Sequence, residues 1–275
     1  MTAPPPPPLL RLSSIRIYPI KSLDSLEVES ATLTAAGGLL GDRQFALFDR
    51  EGKFVNSKRT DRLHPLRTSY APDLSWARFA STAGTETFSL ADDRSRLADY
   101  LSTLFGKHVE LREQVEGGFP DDTEAPGPTV ISTATLAAVA GWFPGLSLEN
   151  VRDRFRTNLE LAVPEPFWED RLYATAGSVV RFRVGSVMLG GTNPCQRCVV
   201  PSRDPQTGDV WPRFTPQFAA LRERHLPPWA ERSRFNHFYR LAVNTRLVEA
   251  ASAGQRLTVG DTVELLDEQL LASTG

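Results

Sequence analysis

Cysteine and histidine are scarce in this chain, with two of the first and four of the second in 275 residues. A structural zinc centre draws its four ligands from paired C-x-x-C knuckles or from cysteines joined to a histidine pair. Here there is no second cysteine pair, and His64, His108, His225 and His237 stand without ligand spacing. An excess of one charge is missing too: 31 Lys and Arg against 33 Asp and Glu leave a formal net charge of -2, so no nucleic-acid partner is implied. No run of eighteen apolar residues occurs, and no membrane partner is expected. Neither a Gly-x-Gly-x-x-Gly fingerprint nor an iron–sulfur set of cysteines is present, so nothing visible is suited to accept a hydride or relay single electrons from a nicotinamide. The start lacks a basic and apolar leader; residues 1–9 read as a proline-rich tail with Pro4 to Pro8 in a row. Two cysteines too close together to staple a fold fit a reducing compartment, and the expected location is cytoplasmic.

What is present is the placement of those two thiols. Cys195 and Cys198 lie three positions apart in Asn193-Pro194-Cys195-Gln196-Arg197-Cys198-Val199-Val200-Pro201, followed by a turn signal at Asp204-Pro205-Gln206-Thr207-Gly208. The thiolate is the reactive and metal-binding form of cysteine and a neighbouring cation favours it, which makes Cys198, beside Arg197, the stronger candidate. Four readings compete at this point. A zinc knuckle lacks its other ligands, and a thioredoxin-like pair should open a helix, whereas Val-Val-Pro favours an extended segment. Two inert packed thiols are the third reading. The fourth is a single thiolate ligand to a soft metal held largely by its own cofactor, which needs one cysteine rather than four.

Turn signals and short alternating runs give the organisation. With 41% hydrophobic and 23% charged residues, the chain is an ordinary globular protein able to build one large or two modest cores. Strands are expected over residues 12–18, 26–33 and 45–48, and their spacing suggests a barrel or sandwich. A helix is expected over 94–105, with Leu97, Leu101, Leu104 and Phe105 on one face. The glycine pair at 117–118 and the acidic, proline-bearing stretch from Asp121 to Pro128 mark a boundary. Beyond it, residues 129–132 lead into a helix over about 134–140, and strands follow at 159–163, 179–184, 187–189, 241–244 and 263–266. The segment from Trp211 to His237, rich in arginine, proline and aromatics, reads as an inserted loop and helix that either borders a substrate entrance or caps the barrel.

Basic and small polar residues sit at the edges of these strands: Lys21-Ser22, Asp42-Arg43 and Arg154-Phe155-Arg156-Thr157-Asn158. Lys21, Arg43, Arg156 and Arg197 are candidates to hold a phosphate and the polar edge of a heterocycle, since arginine offers forked donors and lysine a mobile point charge. The stretches 18–22, 41–47, 54–58, 154–158 and 197–208 together resemble the MOSC family, in particular the branch containing the mitochondrial amidoxime-reducing components and their bacterial relatives. The resemblance covers roughly residues 10–268.

That resemblance implies a mainly β, α-decorated fold: an amino-terminal β subdomain over 10–125, a MOSC β-barrel domain over 126–270, and a molybdenum cofactor (Mo-molybdopterin) in the groove between them. It implies Cys198 as the metal ligand and catalytic residue. Lys21, Ser22, Arg43, Ser132, Thr133, Arg156, Asn158 and Arg197 are the implied pterin or phosphate contacts. The implied activity is molybdenum-dependent reduction of N-hydroxylated small molecules. Some relatives carry a fused ferredoxin-type domain; its absence here leads to the expectation of a separate electron-donating reductase or a ferredoxin- or cytochrome-like partner. Sulfur transfer through a Cys198 persulfide and non-catalytic carriage of the cofactor are the alternatives.

Overall fold

The computed structural model describes residues 10–270, and the proline-rich tail expected over 1–9 lies outside them. Fifteen strands and four helices follow in order: β1 (Leu10–Ile17), β2 (Leu26–Val28), β3 (Ser30–Thr32), β4 (Phe45–Phe48), β5 (Arg67–Tyr70), β6 (Trp76–Ser81), β7 (Gly84–Ser89), α1 (Arg94–Phe105), β8 (Glu110–Glu113), β9 (Val130–Ser132), α2 (Thr133–Trp142), α3 (Leu148–Phe155), β10 (Leu159–Ala162), β11 (Ser178–Val184), β12 (Val187–Gln196), α4 (Phe214–Arg224), β13 (Arg240–Leu247), β14 (Arg256–Thr258) and β15 (Thr262–Leu270).

Seven strands close a barrel in the order β10-β9-β13-β12-β11-β15-β1, and the pairing of β1 with β10 completes the ring. Closure removes the open edges that would otherwise invite association. The closing strand comes from the start of the chain: Ile15 of β1 faces Leu159 of β10, and a register shift between Leu12 and Ser14 bends β1 into the ring. Ile15, Leu159, Leu161, Phe182, Val184, Leu189 and Val243 fill the barrel core. Each such side chain contributes about 1.5–3 kcal/mol on burial.

A second core gathers Ile20, Phe45, Leu47, Phe79, Phe88, Leu97, Leu101 and Phe105 under the β4–β8 pair, the β5-β6-β7 sheet and α1. The four-residue spacing of Leu97, Leu101 and Phe105 buries one stripe of α1, and Gly106 ends the helix in the left-handed conformation at φ 64. A third core packs α2, α3 and α4 together through Leu136, Val139, Val151, Phe155, Phe214 and Phe218. The chain is therefore mainly β with α decorations.

Two expectations are corrected. The single strand expected over 26–33 is two short ones, because β2 pairs with β1 while β3 turns away to pair with β14. Val-Val-Pro is not extended: Val200–Ser202 form a 3-10 turn, closed by the Ser202 hydroxyl donating to Val199 O at 2.6 Å, with Pro201 where a missing N–H costs nothing. Among the described residues no helix is long and apolar enough to cross a membrane.

Candidate functional site

The two thiols reach one groove through the path of β12. Gly191 lets that strand pass the turn at Trp168–Leu172, since a Cβ there would stand 1.7 Å from Leu172 O. β12 then pairs irregularly with β13 around Pro194 and Gln196, which turns Cys195 toward the groove. Arg154, only 3% exposed, donates to Pro201 O at 2.9 Å and Arg203 O at 2.5 Å, clamping the loop after Cys198. Asp204 accepts from Gln206 N at 2.9 Å and Thr207 N at 3.1 Å, forming the turn expected at 204–208.

The groove has a volume of about 730 Å³, and Arg43, Arg156, Asn158, Cys195, Arg197 and Cys198 are among the residues that line it. A smaller recess of about 80 Å³ shares Arg43, Arg156, Arg197 and Cys198 with it and adds Lys21 and Ser22. Six of the expected cofactor contacts thus lie with Cys198 along these two cavities, while Asn158 lines only the larger one. Its side chain is already engaged: Nδ2 donates to Arg16 O at 2.9 Å, and Oδ1 accepts from Thr129 N at 3.1 Å. Asn158 acts as a strut between β1 and the approach to β9. Ser132 and Thr133 line neither cavity. Ser132 is fully buried, and its hydroxyl caps α2 by accepting from Thr135 N at 3.1 Å.

Tyr18, the first residue of the 18–22 stretch, organises the cationic end. Its ring lies under two guanidiniums, that of Arg156 at 4.2 Å and that of Arg43 at 5.3 Å. Burial pushes the Tyr18 hydroxyl up to about 12, against the pull of both arginines. Arg156 also donates to Leu23 O at 2.6 Å, and Arg43 pairs with Asp42. Ser22, Arg43 and Arg156 all adopt left-handed backbone, at φ 75, 51 and 51. For non-glycine residues this costs about 1–2 kcal/mol each, and such positions cluster at functional sites.

The charge balance of the groove is uneven. Asp121 accepts from Lys21 at 2.8 Å and Lys58 at 3.0 Å. Burial raises its carboxyl, but the two ammonium groups outweigh this and hold it well below the usual carboxylate range. Burial lowers Lys21, with Asp121 opposing. Arg197 differs from its neighbours: its guanidinium lies 5.4 Å from the Phe155 ring, and its Nε and Nη2 are buried with no protein partner. Donors left idle inside a fold are costly, and an acceptor from outside the chain relieves that cost. Among the described residues no three His, Cys, Asp or Glu side chains converge on a metal position. The protein's soft donors in the groove are the two free thiols.

Residues 9–116 match the MOSC N-terminal beta barrel domain family, and residues 129–264 match the MOSC domain family. The chain belongs to the MOSC family. Two curated relatives are each named molybdenum cofactor sulfurase: one from Drosophila mojavensis, 25% identical over 284 residues, and one from Drosophila grimshawi, 24% identical over 288. Each alignment covers 92% of this chain but 34% of the relative, so this MOSC chain spans about a third of their length. Among solved structures, the YUAD protein from Bacillus subtilis aligns with 96% of this chain and 98% of its own, at 10% identity and a TM-score of 0.37. A protein titled hypothetical aligns over 94% of this chain and 69% of its own, at 11% identity and a TM-score of 0.40.

Proposed function

We propose that the groove holds a molybdenum cofactor and that the chain uses it to reduce N-hydroxylated compounds with electrons from a separate protein. The observation that carries this reading is Arg197, which lines the groove with Cys198 and keeps two nitrogens without a protein partner. The residues fit such a group: one soft thiolate for the metal, and an arginine-rich wall for the anionic and polar parts of a pterin. Cys198 would ligate the metal, and Arg197 would donate to the polar edge of the pterin. Arg43 and Arg156, fixed by Tyr18, would hold the anionic end with Lys21 and Ser22. When bound, the cofactor supplies two-electron redox chemistry and oxygen exchange at its metal.

The net reaction takes R–NH–OH, two electrons and two protons to R–NH₂ and water. The N–O bond breaks, nitrogen is reduced, and the donor protein is oxidised. The protein's share is placement and charge balance. Free thiols and this chemistry suit a reducing cytoplasm.

A second reading, sulfur transfer through a Cys198 persulfide, draws support from the sulfurase relatives and from a second thiol in the same groove. Non-catalytic carriage of the cofactor is the remaining alternative. Protein produced in a host that makes the cofactor separates them. The reductase reading expects turnover of benzamidoxime with reduced viologen and none with NADH alone. Full molybdenum occupancy without viologen-driven turnover supports carriage, and cyanide-labile sulfur on Cys198 after treatment with a sulfane donor supports transfer.

A further inference from the structure

The large groove continues past Cys198, away from Lys21 and Ser22, to an end lined by Asn193, Cys195, Arg234, Arg240 and Asn244. The smaller recess includes none of these five. Arg197 and Cys198 border both cavities, so the reactive thiol stands between two basic regions rather than at the rim of one. If the inner region takes the cofactor, the outer one faces whatever reacts with it.

Both outer arginines are spent on neutral partners. Arg240 donates from Nη1 to Pro194 O and from Nη2 to Asn236 Oδ1, each at 2.8 Å. Arg234 donates to Thr192 O at 3.1 Å and Ala174 O at 3.4 Å. Carbonyl and amide oxygens hold the two guanidiniums in place without cancelling their charge. Arg240 Nε is buried and has no partner. Burial pushes Arg240 down, Cys195 opposes this, and Arg234 adds to it, so the three side chains act on one another. Asp122 stands at this end too: its Oδ2 accepts from Asn244 at 3.0 Å and its Oδ1 from Glu124 N at 3.0 Å, which leaves one carboxylate against two guanidiniums. Along the whole groove six cations (Arg43, Lys58, Arg156, Arg197, Arg234 and Arg240) face three carboxylates (Asp42, Asp121 and Asp122). A cleft with that excess draws anions and concentrates them.

We infer that Arg234 and Arg240 form an anion subsite that selects N-hydroxylated substrates bearing a carboxylate or comparable oxyanion. This rests on the reductase reading for the identity of the reacting group. Arg240, held in the wall by Pro194 O and Asn236 Oδ1, supplies a fixed guanidinium charge that positions the bound oxyanion relative to Cys198. Arg234 supplies unneutralised charge beside it. Cys195 lies in the wall of this subsite and has no redox step assigned to it.

The test compares benzamidoxime with 4-carboxybenzamidoxime on cofactor-loaded protein, by calorimetric binding and by viologen-driven kcat/KM. The subsite predicts at least tenfold tighter binding of the carboxylate compound, a preference that shrinks as salt is raised. Arg234→Gln and Arg240→Gln should each reduce that preference at least fivefold with molybdenum content unchanged. Because Arg240 also ties Pro194 to Asn236, Arg240→Lys is the second variant: it keeps the charge, loses the fork, and should retain an intermediate preference. Equal binding of the two compounds by the unaltered protein overturns the subsite. Molybdenum loss in folded Arg234→Gln or Arg240→Gln protein overturns it as well, by assigning these arginines to the cofactor. Preferential binding without turnover refutes the reductase reading and leaves the subsite standing, whereas turnover without preference does the reverse.

Discussion

Arg156→Ala separates a cofactor-binding arginine from a structural one. In the folded chain, Arg156 makes one hydrogen bond, to Leu23 O, and stacks on Tyr18. Losing that bond costs about 1 kcal/mol and losing the stack about another 0.5–1 kcal/mol. In a chain of this size that is a fall in Tm of about 3–8 °C. A charged hydrogen bond to an anionic cofactor is worth about 1.5–3 kcal/mol, so its loss weakens binding by about tenfold to a hundredfold. The asymmetry is the prediction: a small change in melting temperature beside a large loss of molybdenum and pterin. Arg156→Lys should recover part of the occupancy, since it restores charge without the fork. The assay pairs differential scanning fluorimetry of the apo protein with metal and pterin analysis of protein from a cofactor-producing host. A Tm fall above about 10 °C, with normal occupancy in the surviving folded fraction, would show Arg156 to be a strut.

Arg222→Ala should cost about 3–5 kcal/mol in chemical unfolding, because it leaves Asp170 buried without its partner. The double variant Arg222→Met with Asp170→Leu should recover at least half of that, and no recovery would mean the pair is not the source of the loss. Burial, reinforced by Asp170, raises Glu169 to about 7, so the native state holds this proton more tightly than the unfolded chain. Its contribution is then fully present below the unfolded value near 4.5 and is lost as pH rises to about 7. Glu169→Gln should flatten stability against pH across that window, and an unchanged slope would contradict the assignment.

Much of the barrel was legible because β1, β11 and β13 alternate or bury continuous runs that a period-two reading detects. The β5-β6-β7 sheet was not, since β7 is largely exposed and carries almost no apolar signal. Helix α3 was missed because it is short and charged, with Val151, Arg154 and Phe155 buried along one side. At the site, Cys198 and the basic residues at strand edges could be picked out by type and position. The stacking of Arg43 and Arg156 on Tyr18 could not, since it depends on two left-handed turns brought together by the fold. The family resemblance implied Ser132 as a cofactor contact, yet its hydroxyl serves the buried cap of α2. Arg234 fell inside the arginine-rich 211–237 segment without being singled out, and Arg240 lay beyond it, because the two join the groove only through the fold, one at the end of a 3-10 turn and the other at the first residue of β13. The aromatics of the 211–237 segment divide: Trp211, Phe214 and Phe218 pack with the helices, and Phe235 enters the barrel core.

The most direct test of the central claim is molybdenum and pterin content of Cys198→Ser and Cys195→Ser, produced side by side with the unaltered chain in a cofactor-producing host. Replacing a soft thiolate by a hydroxyl weakens a soft-metal site. The account predicts loss of molybdenum from Cys198→Ser and near-normal content in Cys195→Ser, with both proteins folded. Equal loss from both, or retention by both, would contradict the assignment of Cys198 as the metal ligand.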